Sequence, residues 1–180
     1  MGRIVPGALH TGQSAGRLAR VSAKKEPVTS AVRAIRAAAI AYEPFVYDYD
    51  RNPGALGAAE AIGIDPHLTV KTIVLETSDG DGVMVLMNGD HEISTKTVAR
   101  LLGVKSTHPA SPDRGKRWTG YEFGGTSPFG TRQRLRMFAN AEIATMDRIY
   151  VNAGSRGFVV GMAAADLIRA LSPELADLAV

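Results

Sequence analysis

The twelve residues Thr119-Gly120-Tyr121-Glu122-Phe123-Gly124-Gly125-Thr126-Ser127-Pro128-Phe129-Gly130 describe a shaped loop rather than a helix or a long strand. Four glycines, one proline and three aromatics crowd the segment. Glycine reaches positive φ and lets a ligand approach the backbone amides, while Pro128 fixes the direction in which the chain leaves. A Gly-Gly followed by Ser-Pro is also the composition of an ordinary surface turn, so the loop acquires meaning only from what surrounds it.

Hydrophobic periodicity supplies those surroundings. With Thr29 or Ser30 as N-cap, Val32, Ile35, Ala39 and Ile40 recur at helical spacing, which predicts an amphipathic opening helix. Pro44 ends it, and the alternation of Phe45, Tyr47 and Tyr49 predicts a strand leading to a turn at Asp50–Pro53. A short alanine-rich helix follows from Ala55 to Ile62, closed by Gly63. Strands are expected over Thr69–Leu75 and Val83–Met87, joined as a hairpin through Ser78–Gly82. Ser94 caps a helix containing Val98, Leu101 and Leu102, and Ser111–Trp118 reads as a shorter one with Pro112 in its first turn. Beyond the loop, Arg134–Phe138, Arg148–Val151 and Gly157–Met162 read as extended, and Ala163–Leu171 as the last helix. Short strands and helices without strict β-α-β alternation indicate the α+β class.

At 180 residues and 45% apolar content the chain can bury a substantial core as one domain. It has no cysteine, which excludes disulfides, thiolate metal sites and a thiol nucleophile. His10, His67, His91 and His108 stand singly without ligand spacing, so no metal site is expected. No apolar run is long enough to cross a bilayer, and the N-terminus lacks a signal-peptide core, so no membrane association and a cytoplasmic location are expected. Of the 21 basic and 18 acidic residues, residues 1–27 hold 5 and 1, leaving 16 and 17 for the remainder. The net charge of +3 therefore resides in the tail. Residues 1–27 are read as a basic, poorly ordered extension and 28–180 as the domain proper.

Three segments set in order, Val70-Lys71-Thr72, the glycine-rich loop and Ile149-Tyr150-Val151-Asn152-Ala153-Gly154-Ser155-Arg156-Gly157, resemble the YbaK/EbsC family, relatives of the editing domain inserted in bacterial prolyl-tRNA synthetases. The resemblance runs from about Thr29 to about Leu171. It implies a mixed, largely antiparallel sheet curled into a partial barrel with helices outside. It also implies a trans-editing hydrolase that deacylates mischarged tRNA, most simply Cys-tRNA(Pro), with no cofactor. The partners it implies are the tRNA acceptor end and, in a ternary complex, prolyl-tRNA synthetase. Three alternatives stay open: a deacylase for another mischarged tRNA such as Ala-tRNA(Pro), a non-catalytic module that binds the tRNA end, and a regulatory or interaction protein.

Lys71 shares a strand face with Ile73 and Leu75 by alternation, an unusual place for an ammonium unless it is paired or lines a cavity. The resemblance makes it the catalytic residue. The substrate-binding residues it implies are Tyr47, Thr72, Gly124, Gly125, Thr126, Ser127, Pro128, Phe129, Gly130, Asn152 and Gly154. Arg114, Lys116 and Arg117 before the loop and Arg132, Arg134 and Arg136 after it form a basic rim suited to RNA phosphates. Asn152-Ala153 replaces the family's Ser-Gly, and Val159 and Gly161 stand where many relatives have acidic residues, which bears on amino-acid specificity.

Overall fold

Residues 26–180 are described by the computed structural model of the protein. The extension expected over 1–27 therefore lies, apart from its last two residues, outside the described residues. The elements in chain order are α1 (Ser30–Ala37), β1 (Glu43–Val46), α2 (Gly54–Ile62), β2 (Thr69–Thr77), β3 (Gly82–Asn88), α3 (Thr95–Leu102), β4 (Thr107–Pro109), α4 (Pro112–Thr119), β5 (Arg136–Asn140), β6 (Arg148–Ser155), β7 (Phe158–Ala163), α5 (Ala164–Leu171) and β8 (Glu174–Ala176). Single 3-10 turns lie at Pro66–Leu68 and Ala141–Thr145.

One eight-stranded sheet runs in the order β1-β7-β6-β2-β3-β5-β8, with β4 also on β2. The pairs β1–β7, β6–β7, β2–β3 and β2–β4 are antiparallel, whereas β2–β6, β3–β5 and β5–β8 are parallel. The mixed, largely antiparallel α+β sheet read from the sequence is thus the one observed, and among the described residues it stays open, since the end strands β1 and β8 do not pair with each other.

Strand β2 organises the sheet. Along one edge β3 pairs with it from Val70 to Glu76. Its other edge is divided: β6 pairs only at Thr69 and Val70, and β4 only from Leu75 to Thr77. Between these two partners, Lys71 to Val74 have no strand beside them.

The helices form where the sequence supplies caps. The Thr29 hydroxyl accepts from the Val32 N–H (3.1 Å) and donates to the Ala153 carbonyl (2.5 Å), so one residue starts α1 and ties it to β6. Ser94 and Ser111 cap α3 and α4 in the same way. Ala31, Val32 and Ile35 of α1 join Leu86, Val151, Phe158, Val160 and Leu167 in the largest core cluster. A second cluster gathers Leu75, Val83, Val85, Met87, Val98 and Phe138, and a third gathers Phe45, Tyr47, Ala58, Ile62, Tyr150 and Val159.

Some expected bounds differ from the structure, and two short strands were not expected. The strand expected through Tyr47 and Tyr49 stops at Val46, because the chain turns: the Asp48 side chain accepts from the Asp50 N–H (3.2 Å) and the Asp48 carbonyl from the Asn52 N–H (3.1 Å). Extended structure after the loop begins at Arg136 rather than Arg134. The extended segment expected over Arg148–Val151 runs on as β6 to Ser155, through an irregularity between Asn152 and Ser155. Strands β4 and β8, three residues each, carry no alternation to read.

A buried polar chain closes the far side of the sheet. Asn140 donates to Asn88 Oδ1 (2.9 Å), Asn88 donates to the His67 carbonyl (3.2 Å), and Asn140 Oδ1 accepts from the Leu178 N–H (3.1 Å). Removing one member strands the others away from water. Asn140→Ala is therefore expected to cost roughly 1–3 kcal/mol of unfolding free energy, read from urea denaturation.

Candidate functional site

Beside the unpaired stretch of β2 opens a cavity of about 240 Å³. Its walls are Thr69–Thr72 of β2, Tyr47 and Tyr49 after β1, Ala55 and Ala58 of α2, Tyr150, Asn152 and Val159 of β6 and β7, and Phe123, Gly124 and Thr126 of the glycine-rich loop. The structure thus brings together Tyr47, Lys71, Thr72, Gly124, Thr126 and Asn152 from the site residues read in the sequence.

The remaining loop residues serve the scaffold rather than this wall. Phe129 is buried in the largest cluster, and Ser127 is fully buried with its hydroxyl accepting from the Phe129 N–H (3.3 Å). Tyr121 donates through its hydroxyl to the Phe129 carbonyl (2.6 Å), and burial pushes its pKa up to about 12. Gly130, at φ +63°, packs so tightly on α1 that a Cβ would sit 2.5 Å from the Ser30 carbonyl oxygen. Pro128 lies against a separate surface depression, Gly125 against the backbone of Ser155 and Arg156, and Gly154 against Tyr121 and Thr29.

Asn152 couples the loop to the strand. Its amide donates to the carbonyls of Gly124 (3.3 Å) and Ser155 (3.1 Å), and its Oδ1 accepts from the Gly154 N–H (2.8 Å). Arg156 adds a bond from Nε to the Phe123 carbonyl (2.8 Å), while its guanidinium lies 5.5 Å from the Tyr49 ring centre. The loop's own Gly125 N–H goes to the Glu122 carbonyl (2.9 Å). No hydrogen bond among the described residues engages the N–H of Gly124 or Thr126.

The Lys71 ammonium donates to the His91 carbonyl. Burial lowers its pKa from the ordinary lysine value, opposed by the charges of Asp90 and Glu92. An ammonium has three donors and this bond uses one, so two remain for a ligand. Thr72 also lines the cavity, and its hydroxyl oxygen is buried with no hydrogen-bond partner among the described residues. Burial also pushes the Tyr47 pKa up to about 12, which keeps that phenol neutral.

The basic rim is divided. Arg114 pairs with Glu76 and also donates to the Gly80 carbonyl (3.0 Å), Lys116 pairs with Glu122 (2.5 Å), and Arg136 is held by both oxygens of Glu174 (2.6 and 2.9 Å). Arg117, Arg132 and Arg134 are exposed, and no ion pair among the described residues engages them.

Sequence reasoning did not name Tyr49, Ala55, Ala58, Phe123 or Tyr150 of the cavity wall as site residues, and it marked Val159 only as a departure bearing on specificity. Phe123 had a usable signal, as an aromatic in a loop with no helical or strand partner; it is 69% exposed at the cavity rim. Ala55 and Ala58 had none, because small helical residues look alike whether they face a cavity or a core.

A family model described as the aminoacyl-tRNA editing domain matches residues 55–170. A proline–tRNA ligase from Nitratidesulfovibrio vulgaris is 32% identical over 117 residues, 63% of this chain and 19% of the ligase. One from Trichlorobacter lovleyi is 33% identical over 95 residues, 53% of this chain and 16% of the ligase. The chain thus spans less than a fifth of the ligases' length. EbsC of Enterococcus faecalis, named as a candidate Cys-tRNA(Pro)/Cys-tRNA(Cys) deacylase, is 24% identical over 156 residues, covering 86% of this chain and 95% of that one. Among solved structures, a candidate trans-editing enzyme for prolyl tRNA synthetase superposes with a TM-score of 0.76 at 20% identity, over 86% of this chain and 99% of that one.

Two glycine substitutions separate the shaped part of the site from its surroundings. At Gly124, with φ +82°, a Cβ would lie 2.2 Å from the Tyr49 hydroxyl, whereas at Gly115 in α4 it meets open space. Gly124→Ala is expected to destabilise by roughly 1–3 kcal/mol, and Gly115→Ala to be neutral or to stabilise by up to about 1 kcal/mol. Thermal denaturation of the two variants beside wild type checks both.

Proposed function

The chain belongs to the aminoacyl-tRNA editing domain family, and on that premise we propose that it hydrolyses the ester of a mischarged aminoacyl-tRNA, with Cys-tRNA(Pro) as its first substrate. The observation that carries this reading is the cavity beside Lys71, where a partly buried lysine shares one space with Thr72 of the same strand and with Gly124 and Thr126 of the loop.

An aminoacyl ester is already activated, so orientation and electrostatic stabilisation suffice without a protein nucleophile. In the proposed reaction, Lys71 keeps its bond to the His91 carbonyl and offers a second N–H to the ester carbonyl. The N–H groups of Gly124 and Thr126 face the oxygen on which negative charge grows. Water attacks the acyl carbon; the bond from that carbon to the ribose oxygen breaks, and the leaving ribose oxygen takes up the proton that water gives up, becoming a free hydroxyl. With a cysteinyl substrate, the substrate's own thiol can replace water, forming the acyl C–S bond and releasing a cyclic thiolactone with the free tRNA. Both routes need the same stabilised oxyanion, so Lys71 and the loop amides serve either.

The wall that receives the amino-acid side chain consists of Tyr47, Ala58, Tyr150 and Val159. It is apolar and carries no carboxylate, which suits a small side chain such as that of cysteine or alanine and disfavours a charged one. The acceptor end enters past Phe123 and the exposed Arg117, Arg132 and Arg134, whose phosphate contacts make binding salt-dependent. Prolyl-tRNA synthetase is the partner that this reading suggests for choosing the tRNA.

Release of labelled amino acid from Cys-tRNA(Pro) and Ala-tRNA(Pro) by wild type and by Lys71→Ala tests the reading. The expected result is turnover of Cys-tRNA(Pro) that falls on the order of 10²-fold or more in the variant. Faster turnover of Ala-tRNA(Pro) transfers the assignment to that substrate. Tight tRNA binding without turnover makes the protein a binding module, and undiminished activity in Lys71→Ala removes Lys71 from the chemistry.

A further inference from the structure

Two histidines that stand 24 positions apart in sequence meet outside the cavity, beside the loop whose carbonyl holds Lys71. His67 comes from the 3-10 turn before β2 and His91 from the segment after β3; their rings pack edge to face with centroids 5.3 Å apart. Asp90 joins them, with both carboxylate oxygens 3.0 Å from His67 Nδ1. One ligand atom from each of His67, Asp90 and His91 lies within 4.8 Å of the other two. Glu142 stands behind the pair, 3.2 Å from His67 Nε2 and 3.8 Å from His91 Nδ1. That last distance is beyond hydrogen bonding, and His91 Nδ1 is buried with no hydrogen-bond partner among the described residues.

We propose that His67, Asp90 and His91 form a site for one divalent transition-metal cation of the zinc type. Two imidazoles and one carboxylate are the donor set of open zinc sites and of related first-row metals, and imidazole donors select against calcium and magnesium. Ligand atoms around a tetrahedral zinc stand about 3.3 Å apart. The observed spacing reaches that value by rotation of three side chains that are 28%, 40% and 35% exposed for His67, Asp90 and His91. Glu142 accepts the N–H of a histidine that ligates through its other nitrogen, which orients the ring. The unpartnered His91 Nδ1 would acquire a partner.

A cation here would join the turn before β2 to the segment after β3. It would thereby fix the His91 carbonyl that receives Lys71, bracing the candidate site from outside. The metal site does not rest on the deacylase reading, because binding and stability report on it without any tRNA.

The test is titration of the tag-free full chain, first dialysed against chelator, with zinc chloride by calorimetry, alongside thermal denaturation with and without the metal. The expected result is saturable binding of one zinc per chain, a raised melting temperature, and affinity lowered on the order of 10²-fold in His67→Gln and in Asp90→Asn. Circular dichroism establishes that each variant is folded, and the exposed His108→Gln variant keeps wild-type affinity. Absence of saturable binding by wild type, or affinity unchanged in both folded cluster variants, overturns the site; His67 is then an imidazole bound only between two carboxylates.

Discussion

Everything in the candidate site follows from the divided edge of β2. A sheet strand ordinarily has one neighbour on each side, and its backbone groups are satisfied by them. Here β6 leaves after Val70 and β4 arrives only at Leu75, so four residues in the middle of a central strand face something other than a strand. The glycine-rich loop comes to this gap, and the space left between them is the cavity. A β6 that stayed paired along β2 would cover Lys71 and Thr72 with backbone and leave no cavity for a ligand.

The loop can fill such a gap because it is anchored at both ends and open in the middle. Tyr121, Ser127 and Phe129 fasten it into the core, and Gly130 lies directly against the start of α1. Asn152 and Arg156 hold the Phe123–Gly124 backbone from the β6–β7 side. Rigidity at the anchors and unengaged amides at the wall are the two properties that electrostatic stabilisation of a developing charge requires. Lys71 is positioned by a carbonyl rather than neutralised by a carboxylate, so its charge stays available to a ligand.

The elements themselves were legible wherever period and caps agreed. The helices beginning after Thr29, Ser94 and Ser111 and the β2–β3 hairpin were readable because each has a start signal and a consistent buried face. The strand through Tyr47 and Tyr49 was misread because its alternation continues past Val46, while Asp48 and Asn52 offer the backbone a competing set of turn hydrogen bonds. Among the site residues, Lys71 stood out in the sequence as a cation on an apolar strand face. The division of labour inside the loop did not, since Gly124 and Gly130 are the same letter and only tertiary packing assigns one to a cavity and the other to a helix. The meeting of His67 with His91 was illegible for the same reason: a turn and a strand end converge only through the hairpin register that sets Val70 opposite Asn88.

The claim on which the account turns is that the cavity beside Lys71 receives the aminoacyl end of its ligand. A crystal structure with a non-hydrolysable 3′-cysteinylamido-adenosine tests it most directly. The account predicts the amide carbonyl within hydrogen-bonding distance of Lys71 Nζ, the side chain against Tyr47 and Val159, and the Gly124–Thr126 backbone over the carbonyl oxygen. The analogue bound elsewhere on the protein, with the cavity beside Lys71 empty, would contradict it.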